Sequence, residues 1–170
     1  MPSGSPVFVM GVSGSGKSTL GEKLASELGY VFLDADSYHD SSAIDMMRRG
    51  VPLTDKERTP WMARIIADLH AKQRAGDNIV LAISGLKRAH RLQLLSVNES
   101  AIAFVLEVEK SVLRERLQQR QSHFFSPELL DSQLAAQESV YNEPNTFVLD
   151  GHATIEALLA ACQKEINENI

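Results

Sequence analysis

The stretch Gly11-Val12-Ser13-Gly14-Ser15-Gly16-Lys17-Ser18, followed by Thr19, fills the pattern G-x-x-x-x-G-K-[ST] directly after the apolar run Pro6-Val7-Phe8-Val9-Met10. Those residue types at that spacing make a phosphate cradle. Glycines let backbone N–H groups wrap a triphosphate without Cβ clashes, Lys17 reaches the β and γ phosphates, and the Ser18 hydroxyl binds Mg²⁺. A Gly/Ser turn with no ligand is the plain alternative, but the strand before and the helix after are the context a cradle needs. Leu20, Leu24 and Leu28 recur at helical spacing after the loop. The cradle therefore sits on a helix N-terminus, where unpaired N–H groups and partial positive charge suit an anionic nucleotide.

Two carboxylates stand where such a loop would use them. Leu33-Asp34-Ala35-Asp36 closes the next apolar run, and alternation sends Asp34 and Asp36 to one side. One can orient water around Mg²⁺ while the other receives a proton or a hydrogen bond from an acceptor hydroxyl; a helix cap is the alternative. The third run ends Ile83-Ser84-Gly85-Leu86-Lys87 with no acid at its tip, and no Asn-Lys-x-Asp occurs. The first absence disfavours switch GTPases and large ATPase motors, and the second leaves guanine specificity unsupported.

Cations recur further along. Arg116 and Arg120 stand one helical turn apart, before Gln121-Ser122-His123-Phe124-Phe125. Arginines on a closing segment can stack on adenine or neutralise a transferring phosphoryl group; an ordinary basic surface is the alternative. His39, Arg58 ahead of Pro60-Trp61, and the set Lys87, Arg88 and Arg91 are suited to a carboxylate acceptor. Taken singly, Arg58 reads equally well as a surface arginine beside a core tryptophan, and for His39 the structural reading wins.

Five β-branched or aromatic runs must position these groups: Val7–Met10, Tyr30–Asp34, Ile79–Ser84, Ile102–Val108 and Thr146–Asp150. Their near-continuous apolar character predicts strands buried on both faces, hence a parallel sheet in an α/β sandwich. Helical patterns fall over Lys17–Leu28, Ser41–Arg49, Lys56–Ala75, Arg88–Ser96, Lys110–Gln121, Pro127–Glu138 and Thr154–Asn167. Ligands in such sheets bind beyond the strand carboxyl ends. The long excursions after the second and fourth strands are the natural acceptor site and lid.

A chain of 170 residues reads as one domain, residues 1–170, with an acceptor-binding excursion over about 37–75 and a lid over about 116–138. Net charge −5 disfavours a general nucleic-acid binder. No apolar run approaches the roughly 20 residues of a membrane span, and the first residues lack signal-peptide character. A cytoplasmic protein without membrane partners is expected. The single cysteine, Cys162, reads as a packed small hydrophobe.

From Gly11 to about Asp150 the chain resembles the gluconate kinases among the P-loop small-molecule kinases, which are similar in fold to shikimate and adenylate kinases. The matching residues are the loop Gly11 to Ser18, Leu33-Asp34-x-Asp36-x-x-His39, and Gly50-x-Pro52-Leu53-x-Asp55-x-x-Arg58-x-Pro60-Trp61. Ser84-x-Leu86-Lys87-x-x-x-Arg91, Arg116-Leu117-x-x-Arg120 and His123-Phe124-Phe125 complete the set. The resemblance implies a three-layer α/β sandwich with a five-stranded parallel sheet in the order 2-3-1-4-5 and a helical lid. It also implies transfer of the ATP γ-phosphate to the 6-hydroxyl of D-gluconate, with Mg²⁺, in a family that commonly forms homodimers.

By the same resemblance, Lys17, Asp36 and Arg120 are catalytic. Gly11, Ser13, Gly14, Ser15, Gly16, Lys17, Ser18 and Thr19 hold the nucleotide with Arg116 and Arg120, and Ser18 with Asp34, through water, holds the metal. His39, Arg58, Lys87, Arg91 and His123 line the sugar-acid pocket with Asp36. Four positions depart from the family pattern: Ala35 for glycine, Asp40 for proline, and Ala43 and Met46 for asparagine and lysine. Such changes beside an acceptor remove donors for a polyhydroxy acid. Another small acid acceptor, such as a shikimate-like acid, or a nucleotide-binding regulatory module with weak transfer, are the competing readings.

Overall fold

The structure, a computed structural model, describes residues 5–120 and 128–169. Five strands form one sheet in the order β2-β3-β1-β4-β5: β1 (Pro6–Met10), β2 (Val31–Asp34), β3 (Ile79–Ile83), β4 (Ile102–Glu107) and β5 (Thr146–Asp150). Every pairing is parallel. The helices are α1 (Lys17–Leu28), α2 (Ser41–Arg48), α3 (Asp55–Ala75), α4 (Arg88–Leu95), α5 (Lys110–Gln118), α6 (Leu129–Ala136) and α7 (Ile155–Glu168).

Strand alternation builds two cores. Val7, Val9, Phe104 and Leu106 pack toward Leu20 and Leu24 of α1 and Leu159, Cys162 and Ile166 of α7. Phe8, Met10, Leu81 and Ile83 pack on the other face with Trp61, Ile65 and Leu69 of α3 and Leu94 of α4. The expected burial of both strand faces holds for β1 and β3, whereas the edge strands β2 and β5 are partly exposed. An edge strand has one neighbour only, so its outer flank keeps contact with water.

A third apolar cluster joins the phosphate loop to α5 and α6. Val12, Leu86, Leu113, Leu117 and Leu130 are buried together, with Leu134 and Ala136 against them. The described parts of segment 116–138 are thus packed on the loop itself.

Many expected boundaries shift by a residue or two, and two of the shifts bear on the site. α3 starts at Asp55, not Lys56, because Glu57 Oε2 accepts from the Thr54 N–H at 2.8 Å in a capping box, which puts Pro60 inside the helix. α5 ends at Gln118, short of Gln121: the Arg120 N–H bonds to the Leu117 carbonyl, a tight closing turn. Arg120 therefore lies beyond the end of α5, while Arg116 lies within it. Among the described residues no helix is long and apolar enough to cross a membrane.

Candidate active site

β1 lies where the chain's winding reverses, between β3 and β4, which opens a crevice at the strand carboxyl ends. The phosphate loop fills it. Gly11 has φ +150°, and a Cβ there would stand 2.5 Å from Ser15 Oγ and 3.1 Å from the Leu106 carbonyl, so glycine is required. Gly14, at φ +86°, lies against Leu117 of α5. α1 carries no acidic residue in its first turn, leaving its positive end unopposed. Ser15 Oγ is buried without a partner among the described residues. A buried hydroxyl in that state costs about 1–3 kcal/mol, which fits a loop shaped for a ligand.

Lys17 is partly buried, and its ammonium is held below the ordinary lysine value by burial, with Asp36 and Asp34 opposing and Arg120 adding to the effect. Ser18 Oγ donates to Asp34 Oδ2 at 3.2 Å. A hydroxyl and a carboxylate oxygen side by side at the loop are the hard donors Mg²⁺ takes. Asp34 also accepts the Asp36 N–H at 2.9 Å, which caps a short 3₁₀ turn over Ala35–Tyr38 and sets the direction of Asp36. The capping reading of Asp34 thus holds through Oδ1, while Oδ2 stays beside the Ser18 hydroxyl.

α3 holds that turn in place. Trp61 Nε1 donates to the Ala35 carbonyl at 2.8 Å, and the His39 ring stacks on the indole at 4.6 Å with planes 5° apart. Burial pushes the His39 imidazole below its ordinary value, with Asp36 and Asp40 opposing, and its Nδ1 has no partner among the described residues. A neutral imidazole offers one donor and one acceptor. Ser13, Lys17, Asp36, His39, Arg58 and Trp61 line one cavity, together with Met47, Leu86 and, from α6, Leu129, Ser132 and Gln133.

Other expected residues lie elsewhere. Arg91 is 1% exposed, and its guanidinium is consumed by Glu143 and by the carbonyls of Gly85, Leu86 and Ser139. With every donor engaged inside the fold, it has none for an acceptor, which corrects its place in the pocket. Lys87 does not line the cavity and stands 3.9 Å from Glu138 Oε1. Arg116 turns onto the loop, donating to the carbonyls of Gly14 at 3.2 Å and Gly151 at 3.3 Å. Arg120 is exposed but close enough to act on Lys17. His123 lies outside the described residues.

Of the four departures, Asp40 caps α2 by accepting from the Ala43 N–H at 2.8 Å, and Ala43 and Ala35 are buried. Met47, not Met46, lines the cavity. A larger cleft of about 780 Å³ opens at the carboxyl ends of β4 and β5 and contains none of the expected site residues. Glu107, Glu109, Glu138 and Asp150 on its walls suit it poorly to a phosphorylated ligand. Sequence reasoning missed Gln133 and Ser132, because a polar pair within an apolar helix carries no spacing signal.

Comparison with known proteins agrees with this architecture. Residues 7–144 match the family described as AAA domain. The chain is 42% identical to a probable gluconokinase of Dictyostelium discoideum, over 78% of this chain and 69% of that one. It is also 42% identical to a gluconokinase of Gluconobacter oxydans, over 78% of this chain and 74% of that one. The crystal structure of a gluconokinase from Sinorhizobium meliloti superposes with a TM-score of 0.85 at 32% identity, covering 99% of this chain and 94% of that one.

Proposed function

Because the chain belongs to the gluconokinase family of P-loop kinases, we propose that it phosphorylates the 6-hydroxyl of D-gluconate with ATP, giving 6-phosphogluconate and ADP. One observation carries this reading: Ser13 and Lys17 of the phosphate loop share a cavity with Asp36, His39 and Arg58. Donor and acceptor sites meet there without an intervening wall.

In this reading the Asp36 carboxylate takes the proton of the acceptor hydroxyl as that oxygen bonds to the γ-phosphorus. The bond from phosphorus to the β–γ bridging oxygen breaks, and its electron pair leaves with ADP. Lys17 and Arg120 neutralise the charge that builds up on the phosphoryl oxygens, where positioning and electrostatics supply most of the acceleration. Ser18 and Asp34 would hold Mg²⁺, which supplies further charge neutralisation when bound. Arg58 pairs with the acceptor carboxylate, and the neutral His39 hydrogen-bonds a sugar hydroxyl through a ring nitrogen that lacks a partner among the described residues.

Coupled measurement of ADP release with gluconate, other sugar acids, shikimate and nucleoside monophosphates tests the proposal. Gluconate should give the highest kcat/KM. ADP formation at the water background with every acceptor would end it.

A further inference from the structure

The Ser13 N–H donates to Gln133 Oε1 at 2.8 Å, joining the phosphate loop to α6 across 120 positions of sequence. A backbone N–H only donates, so the contact turns the carboxamide oxygen toward the loop. Ser13 is 4% exposed, and a buried N–H needs an acceptor. Both residues line the cavity that also contains Lys17, Asp36 and Arg58. This N–H therefore faces the place where donor and acceptor meet, not the base end of the nucleotide. Gln133 is held there by its helix, whose Leu130 and Leu134 pack in one cluster with Val12, the residue before Ser13.

We propose that Gln133 senses the terminal phosphate by competing with it: its carboxamide holds the Ser13 N–H in the empty protein and must yield it to a γ-phosphate oxygen, at a cost to γ-phosphate binding. The inference rests on the nucleotide reading above. An anionic phosphate oxygen outcompetes a neutral amide oxygen for the same donor, because charge-assisted hydrogen bonds are roughly twice as strong as neutral ones. A diphosphate offers no terminal oxygen at the acceptor end, so it leaves Gln133 on the loop. ATP and ADP thereby differ in what they do to α6, and loss of the γ-phosphate returns Gln133 to Ser13.

Titration calorimetry of the full chain with Mg²⁺ and either ADP or a non-hydrolysable ATP analogue tests this, in wild type, Gln133→Ala and Gln133→Glu. Gln133→Ala removes the competitor, so the analogue should bind roughly two- to tenfold tighter while ADP is unmoved. Gln133→Glu keeps an acceptor on Ser13 and adds a negative charge, so the analogue should weaken at least roughly tenfold more than ADP. A ratio of analogue to ADP affinity equal in all three proteins overturns the inference while leaving the nucleotide reading intact. Parallel weakening of both ligands with a lowered Tm also overturns it, since that marks a structural role for Gln133. Wild type that binds neither nucleotide removes the nucleotide reading and the inference together.

Discussion

Glu143 receives Arg91 through both carboxylate oxygens, Nε to Oε2 at 2.8 Å and Nη2 to Oε1 at 2.6 Å, with the side chains 0% and 1% exposed. The remaining Arg91 donors satisfy the carbonyls of Gly85 and Leu86 after β3 and of Ser139 before β5. The pair clamps two site-forming loops. Removing Glu143 leaves a buried guanidinium without a counter-charge, so Glu143→Ala should lower stability by about 3–5 kcal/mol in urea unfolding, and Arg91→Ala by less because Arg88 still stands 3.3 Å from Glu143 Oε1. An Arg91→Ala protein of wild-type stability with only a raised acceptor KM would return Arg91 to the pocket.

Lys17 and Asp36 act on the reacting atoms in the proposed mechanism, whereas Arg58 holds the acceptor. Lys17→Ala and Asp36→Asn should each lower kcat by at least roughly tenfold, and Arg58→Ala should mainly raise the acceptor KM. Steady-state kinetics separate the two effects. An unchanged kcat in Asp36→Asn would remove it as the proton acceptor.

Burial holds both His39 and His90 below the ordinary value of 6.5. Unfolded, these imidazoles take up protons as pH falls through 6.5; folded, they do so only at lower pH. Between those values the unfolded chain binds more protons, so the stabilisation is complete above about pH 6.5 and is lost as pH falls through the folded values. Urea midpoints should drop from pH 7 to pH 5, and the drop should be shallower in the variant His39→Gln/His90→Gln. An identical slope in that variant would assign the pH dependence to other groups.

Cys162 is fully buried between α7 and the sheet, and burial pushes its thiol up to about 12. Iodoacetamide at pH 8 should leave the native protein unmodified by mass spectrometry and label it fully in urea. Rapid labelling of the native protein would show that α7 opens readily from the sheet.

The phosphate loop was legible because its chemistry is local: glycine φ angles, a lysine and a hydroxyl at set offsets need no distant partner. The strands and their parallel pairing were legible for a related reason, since apolar runs separated by helical periods admit few topologies, whereas their order rested on the resemblance to the gluconate kinases. Arg91 was misplaced because a cation in sequence looks the same whether it meets a ligand or a buried glutamate 52 positions away. Arg120 falls outside α5 because a helix end depends on its last hydrogen bonds, and those are weakly encoded.

The sequence by itself determined the nucleotide half of this protein: the loop from Gly11 to Ser18, the helix behind it and the acids Asp34 and Asp36 at the next strand end. Only tertiary structure decided what faces that half. Trp61 pins the Ala35 carbonyl and stacks His39, Glu143 withdraws Arg91, and Gln133 reaches Ser13. Each is a contact between segments far apart in the chain, whose partners are selected by the packing of helices on the sheet and not by any spacing along it.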